Sequence, residues 1–218
     1  MEKTNYIPLG FQCTVPTVLQ SRQLKGQTLP FDWMLSSPKF VYQMLQLLLA
    51  DMPIEVLVRE HFFNCTAKAE ILLGSDGRAV LEHYITREDG NSLYNQQYDV
   101  IFPHDSYNED TIQKYVRRFE RLKQLMYGDE HVTYLYISPS SDESGEFWID
   151  GTRVLMDPIE YLNKIYTLLQ KSNLRNFSFK AHLTTSSGVD KLLPGIQYTA
   201  IQAKPVWLEI VGDCAANL

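Results

Sequence analysis

The apolar positions change period along the chain, and those changes mark its elements. Residues 4–9, "TNYIPL", are a short apolar run that predicts a buried strand, with Pro8 placing it at a strand end or edge. Helical spacing follows. Thr14 is a candidate cap, Pro16 suits a first turn, and Val15, Val18 and Leu19 share a face, so a helix is predicted from Cys13 to near Lys25-Gly26. Residues 38–50 repeat the pattern with Phe40, Val41, Met44, Leu45 and Leu48, behind a Ser36-Ser37-Pro38 start signal. Two short apolar runs split by Gly74-Ser75-Asp76-Gly77 then predict a β-hairpin around 70–86, and "YDVIF" at 98–102 reads as a strand.

From there the period alternates: helix 108–127, strand 131–138, helix 157–171, strand 176–182, and a last strand near 196–202. Alternation of this kind predicts crossover units and a mainly parallel sheet. The expected architecture is one α/β domain over 1–218. Its parallel sheet is covered by helices in three layers, doubly wound-like, with a small β-hairpin insertion around 70–86.

Composition narrows the functions without naming one. At 218 residues and 44% hydrophobic, the chain has material for one sizeable core. A formal charge of −6 and a pI near 5.4 count against a nucleic-acid partner, which calls for clustered Lys and Arg. Cys13, Cys65 and Cys214 are odd in number and irregularly spaced, unlike a disulfide framework or a zinc motif, so reduced thiols in a cytoplasmic protein without a cofactor or metal are expected. The N-terminal "MEKTNYIPLG" offers no signal peptide. The longest apolar run is interrupted by Gln46, Asp51, Pro53 and Glu55, so no membrane span is expected.

In a parallel sheet, ligands sit beyond the carboxyl ends of the strands, which makes the residues after each strand informative. Gly10, Gln12 and Cys13 follow the first strand; Pro103, His104, Asp105 and Ser106 follow 98–102; Ser138, Ser140 and Ser141 follow 131–138; His182 ends 176–182. If these strands are parallel neighbours, a thiol, two imidazoles and a carboxylate converge on one rim. A thiol in the first turn of a helix meets unpaired N–H groups and the positive end of the dipole, which favour thiolate and stand ready for an oxyanion. The alternative is a Cys13 that merely packs.

His104 is the preferred base and His182 its competitor; Asp105 could equally cap the helix that begins near Asn108. Asp32, between Phe31 and Trp33 in "LPFDWMLSSP", needs a partner, either to orient an imidazole or to fix a loop that its aromatic neighbours anchor. Gln12, Trp33, His182 and Arg118 are the expected substrate contacts. Arg117, Arg118 and Arg121 otherwise read as a solvated helix face, with one of them able to reach an anion or Asp32.

"LGFQC", then "LPFDWMLSS", "FPHD" and "YVRRFERL" in that order, over the first 125 residues or so, resemble the papain-like cysteine peptidase family found in bacteria and large viruses. The resemblance implies Cys13 as nucleophile and His104 as base, with Asp105 and Asp32 both candidates for the orienting acid. It implies a cysteine-dependent hydrolase acting on a carbonyl in a peptide, glycan or small molecule. The α/β alternation keeps two other functions open: a glycosyl- or acyltransferase of surface-glycan biosynthesis that binds an activated donor at the sheet rim, and a non-catalytic binding module.

Overall fold

A computed structural model describes residues 5–10, 13–34, 36–63, 67–69, 92–95, 100–102, 105, 108–137, 146–149, 152–155, 158–172, 174, 176–183 and 189–201. Strand β1 (Asn5–Pro8) leads to helix α1 (Thr14–Ser21) and then α2 (Pro38–Leu49). A short helix α3 (Ile54–Val56) runs into a π-helical turn at Leu57–Phe62. Strands β2 (Ala67–Ala69), β3 (Ser92–Asn95) and β4 (Val100–Phe102) precede α4 (Glu109–Tyr127) and β5 (Val132–Ile137). The chain continues through β6 (Glu146–Ile149), β7 (Thr152–Leu155), α5 (Pro158–Lys171), β8 (Phe177–Leu183), a 3₁₀ turn at Val189–Lys191 and β9 (Ile196–Ala200).

The main sheet has the order β1-β5-β8-β9, with every neighbouring pair parallel, which establishes an α/β fold. Side chains alternate between its faces, and two apolar clusters record the alternation. On one face Ile7, Leu9, Val132, Tyr134, Tyr136, Phe179, Ala181 and Leu183 pack with α2, α4 and α5. On the other, Leu135, Ile137 and Ile201 pack with Val15, Val18 and Leu19 of α1, and Tyr6 joins from β1. Helices therefore cover both faces, as the three-layer expectation requires. The strand order advances in one direction, and right-handed crossovers stepping one way leave their last helices, α4 and α5, on one face. Covering the opposite face falls to α1.

The helix boundaries have local causes. Ser37 Oγ accepts from Phe40 N–H at 3.2 Å to start α2, and Asn108 Oδ1 accepts from Thr111 N–H at 2.9 Å to start α4. Helix α1 stops at Ser21, short of Lys25-Gly26. Gln23 takes φ 57°, letting Leu24 N–H return to Leu19 O at 2.8 Å and Gln23 N–H to Gln20 O at 3.0 Å.

One expectation about the sheet changes. Strand β4 belongs to a separate antiparallel sheet, β2-β3-β4, so the segment after it does not reach the main rim by parallel register. The connection over 96–99 is too short for a parallel crossover, which needs a dozen or more residues. Helix α3 with its π-helical turn and the antiparallel β6–β7 ribbon were not predicted. The hairpin expected at 70–86 lies outside the described residues.

Gly10 ends the first strand with φ 80°, and a Cβ built on it would stand 2.5 Å from Ser36 Oγ. Gly10→Ala is expected to cost about 2–4 kcal/mol in urea unfolding, combining left-handed strain with overpacking. In a Ser36→Ala background the hydroxyl clash goes and the backbone part, about 1–2 kcal/mol, remains.

Candidate functional site

The site is built around the turn from β1 into α1. Leu9 points to the α2/α4/α5 side and Val15 to the α1 side, so residues 10–14 carry the chain over the carboxyl edge of the sheet. Cys13 occupies the N-cap position of α1, half-buried, as a thiol outside any disulfide. Its side chain makes no capping bond, while its carbonyl accepts from Thr17 N–H at 3.1 Å and Thr17 Oγ1 at 2.6 Å. Thr14, the expected cap, is the first helical residue instead. A thiol at a helix N-cap stands beside the unpaired first-turn amides, which stabilise negative charge.

On the α2/α4/α5 side the turn is backed by the segment 29–37. Phe31 is buried and meets Phe40 and Phe119 edge-on, with ring centroids 6.4 and 5.9 Å away. Asp32 is fully buried; its Oδ2 accepts from Leu29 N–H at 2.8 Å and pairs with Lys25 Nζ at 2.7 Å. Burial holds its carboxyl above the ordinary range, opposed by Lys25, the Leu29 amide and Arg118. Asp32 thus fixes its loop, and Trp33 beside it is half-buried. Ser36 Oγ, against Gly10, is buried without a hydrogen-bond partner.

Asp105 is buried too, yet it does not cap α4. It pairs with Lys114 Nζ and accepts from Tyr115 hydroxyl at 2.7 Å, both one to two turns into the helix. Burial, with the Asp105 charge adding to it, keeps Tyr115 protonated well beyond its usual range, so it remains a donor. Arg118 lies over the Tyr115 ring, 4.6 Å from the centroid, with Nη1 buried and unpartnered. Of the three arginines only Arg117 is exposed; Arg118 and Arg121 are half-buried, which corrects the solvated-face expectation for those two. Phe119, one turn of helix beyond Tyr115 and next to Arg118 in the chain, belongs to the aromatic core that draws this face of α4 inward.

His182 stands on the opposite side. Alternation along β8 turns Phe179, Ala181 and Leu183 toward α2, α4 and α5, and so turns Ser178, Lys180 and His182 toward α1. Its imidazole is 1% exposed and Nδ1 is buried without a partner. Burial, and secondarily Lys180, holds its pKa below the usual imidazole range, so it is neutral at pH 7. The sheet therefore separates the candidates: Asp32, Arg118 and Asp105 on one side, His182 on the other, and Cys13 on the turn between them. Gln12 and His104 lie outside the described residues.

Among the described residues no cluster of His, Cys, Asp and Glu is placed to hold a metal ion, and no helix is long and apolar enough to cross a membrane. A groove of about 490 Å³ between α2 and α5, bordered by Tyr42, Gln46, Asn163, Lys164, Lys171 and Leu193, contains none of the predicted residues. The partners missed from the sequence are Lys25 for Asp32 and Tyr115 with Lys114 for Asp105. Loop geometry alone creates the first pairing, whereas the adjacent Lys114 and Tyr115 lie nine and ten residues beyond Asp105.

Comparison with known proteins places these residues in a group. A family model described as "Putative papain-like cysteine peptidase" matches residues 4–163, nearly three quarters of the chain, and the chain belongs to that family. Searches of curated proteins and of solved structures return no match.

The Lys25–Asp32 pair makes a pH-dependent prediction. An Asp whose folded pKa is raised binds protons more readily when folded, so it loses stability as pH rises through the unfolded and then the folded value. Lys25→Met removes the charge that opposes this. Its deficit is expected to reach about 3 kcal/mol at pH 7.5 and to shrink on acidification toward pH 4, read by urea unfolding at both pH values. A deficit independent of pH would sink the assignment.

Proposed function

Taking family membership as the premise, we propose that the chain is a thiol-dependent hydrolase of peptidase type, with Cys13 as nucleophile on a carbonyl substrate. The observation that carries the reading is the position of Cys13: half-buried, at the N-cap of α1, directly after the left-handed Gly10 turn at the carboxyl edge of a parallel sheet. In this scheme an imidazole removes the thiol proton, and Sγ bonds to the carbonyl carbon. The first-turn amides of α1 receive the developing oxyanion. The imidazolium then protonates the leaving group, and water cleaves the acyl-enzyme.

His104 is the base implied by sequence. Asp105, its chain neighbour, is held by Tyr115 and Lys114 and so anchors the end of that segment. Asp32 acts through the loop that backs the turn rather than on the substrate. The substrate class is an acyl group borne by a peptide, a glycan or a small molecule, and the chemistry belongs in a reducing, cytoplasmic setting.

Exposure to p-nitrophenyl acetate is expected to release a burst of nitrophenol and add one acetyl group to the peptide containing Cys13, read by mass spectrometry. Cys13→Ala should remove both signals and lower turnover about 10³-fold or more. Acetylation at Cys65 or Cys214 instead, with Cys13 untouched, would overturn the nucleophile.

A further inference from the structure

His182 lies beyond the family-matched segment 4–163. A buried structural histidine spends its ring nitrogens on partners, because an unpaired polar atom away from water is costly. His182 Nδ1 has none.

Its position is set by strand register. Pro8 pairs with Leu135, Ile137 with His182, and His182 with Thr199, which puts Gly10, Ile137, His182 and Thr199 at one level along the parallel strands. That level is the carboxyl edge, where the turn leaves β1 for Cys13. Two strand spacings separate Gly10 from His182, about 10 Å between backbones. Helix α1 starts at this edge and runs back over the face on which His182 stands. Val15, Val18 and Leu19 pack with Leu135, Ile137 and Ile201, and Ile137 is the register partner of His182. The first turn of α1, beginning at Cys13, therefore starts at the same edge over β5, the strand next to the one that carries the imidazole.

We propose that His182 is the proton acceptor for the Cys13 thiol, reached from the α1 face of the sheet. The inference rests on Cys13 being the nucleophile. The proton passes from Sγ to Nδ1, giving a thiolate and an imidazolium; Sγ then bonds to the acyl carbon, and the same proton leaves with the departing group. A neutral imidazole suits this step, and burial supplies it.

Among the described residues, the charged or titratable side chains on this face are few. Lys180 and His182 come from β8, Tyr6 from β1, and Cys13 from the start of α1. His131, immediately before β5, reaches Ser178 Oγ at 3.1 Å on this face, toward the amino ends of the strands and away from the level of His182, and helix α1 and β9 add none. Lys180, two residues before His182 on the same face of β8, opposes the imidazolium form.

The test is the pH profile of Cys13 alkylation by iodoacetamide in the intact protein, followed by peptide mass spectrometry. In wild type the midpoint is expected below that of an ordinary thiol, about 8.5. His182→Gln should move it up by about one pH unit or more, lowering the rate at pH 7 about tenfold while leaving the plateau near pH 10 unchanged.

A reactive Cys13 whose midpoint ignores His182→Gln, and follows His104→Gln instead, would overturn this assignment alone. An inert Cys13 in wild type would overturn the nucleophile and this assignment together. If His182→Gln does not fold, wild-type protein with ¹⁵N-labelled histidine decides the matter. Methylthiolation of Cys13 should shift the His182 ring nitrogens, and unchanged resonances would overturn the pair.

Discussion

A chain that leaves a sheet at one strand and must cover the opposite face has to turn over the sheet edge, and the candidate site is the product of that constraint. Leu9 belongs to one cluster and Val15 to the other. The crossing is made tight by Gly10, whose positive φ and missing side chain let Ser36 pack directly against it. Cys13 is then delivered to the end of α1, where amides are unpaired. Because the crossovers ending in α4 and α5 both step the same way, α1 is the helix that covers the second face among the described residues.

The two sides of that edge are polar in different ways. Toward α4, the two carboxylates are paired, Asp32 with Lys25 and Asp105 with Lys114 and Tyr115, while Asp32 Oδ1 and Arg118 Nη1 stay buried without a hydrogen-bond partner. Such pairs are poor sources of net stability, since desolvation offsets much of the attraction, but removing one partner is costly. Their effect is to hold the segments 29–37 and 105 onto α4. Toward α1 the single buried titratable group of β8, His182, lacks a partner on Nδ1. Paired carboxylates thus stand on one face and a buried, neutral imidazole on the other.

Much of the fold was legible because period and punctuation agreed. The α2 and α4 starts were announced by Ser37 with Pro38 and by Asn108, and the strands β5 and β8 by short apolar runs. What escaped had identifiable causes. Gln23 and Asp51 adopt positive φ where glycine is the usual signal, so α1 ends earlier than its composition suggests. Strand β4 looked like a member of the parallel sheet because three apolar residues carry no mark of direction; only the short link to β3 reveals it. Thr14 resembled a cap, yet Cys13 holds that position. At the site, Asp32 was recognisable as a carboxylate in need of company, but a loop contact such as Lys25 has no sequence period to betray it.

The sheet also limits which residues can cooperate. An acid that orients an imidazole must contact it directly, and a packed sheet with apolar clusters on both sides transmits no hydrogen bond from face to face. Asp32 and Asp105 are on the α4 side and already bonded there, so neither orients His182, and among the described residues a Cys13–His182 pair would work as a dyad. A dyad of this kind needs no acid if burial keeps the imidazole neutral and the helix amides favour the thiolate, since those two effects supply the poise that an orienting carboxylate supplies elsewhere. The arrangement of faces thus makes the charge state of His182, rather than the identity of a third residue, the quantity on which thiol activation would depend.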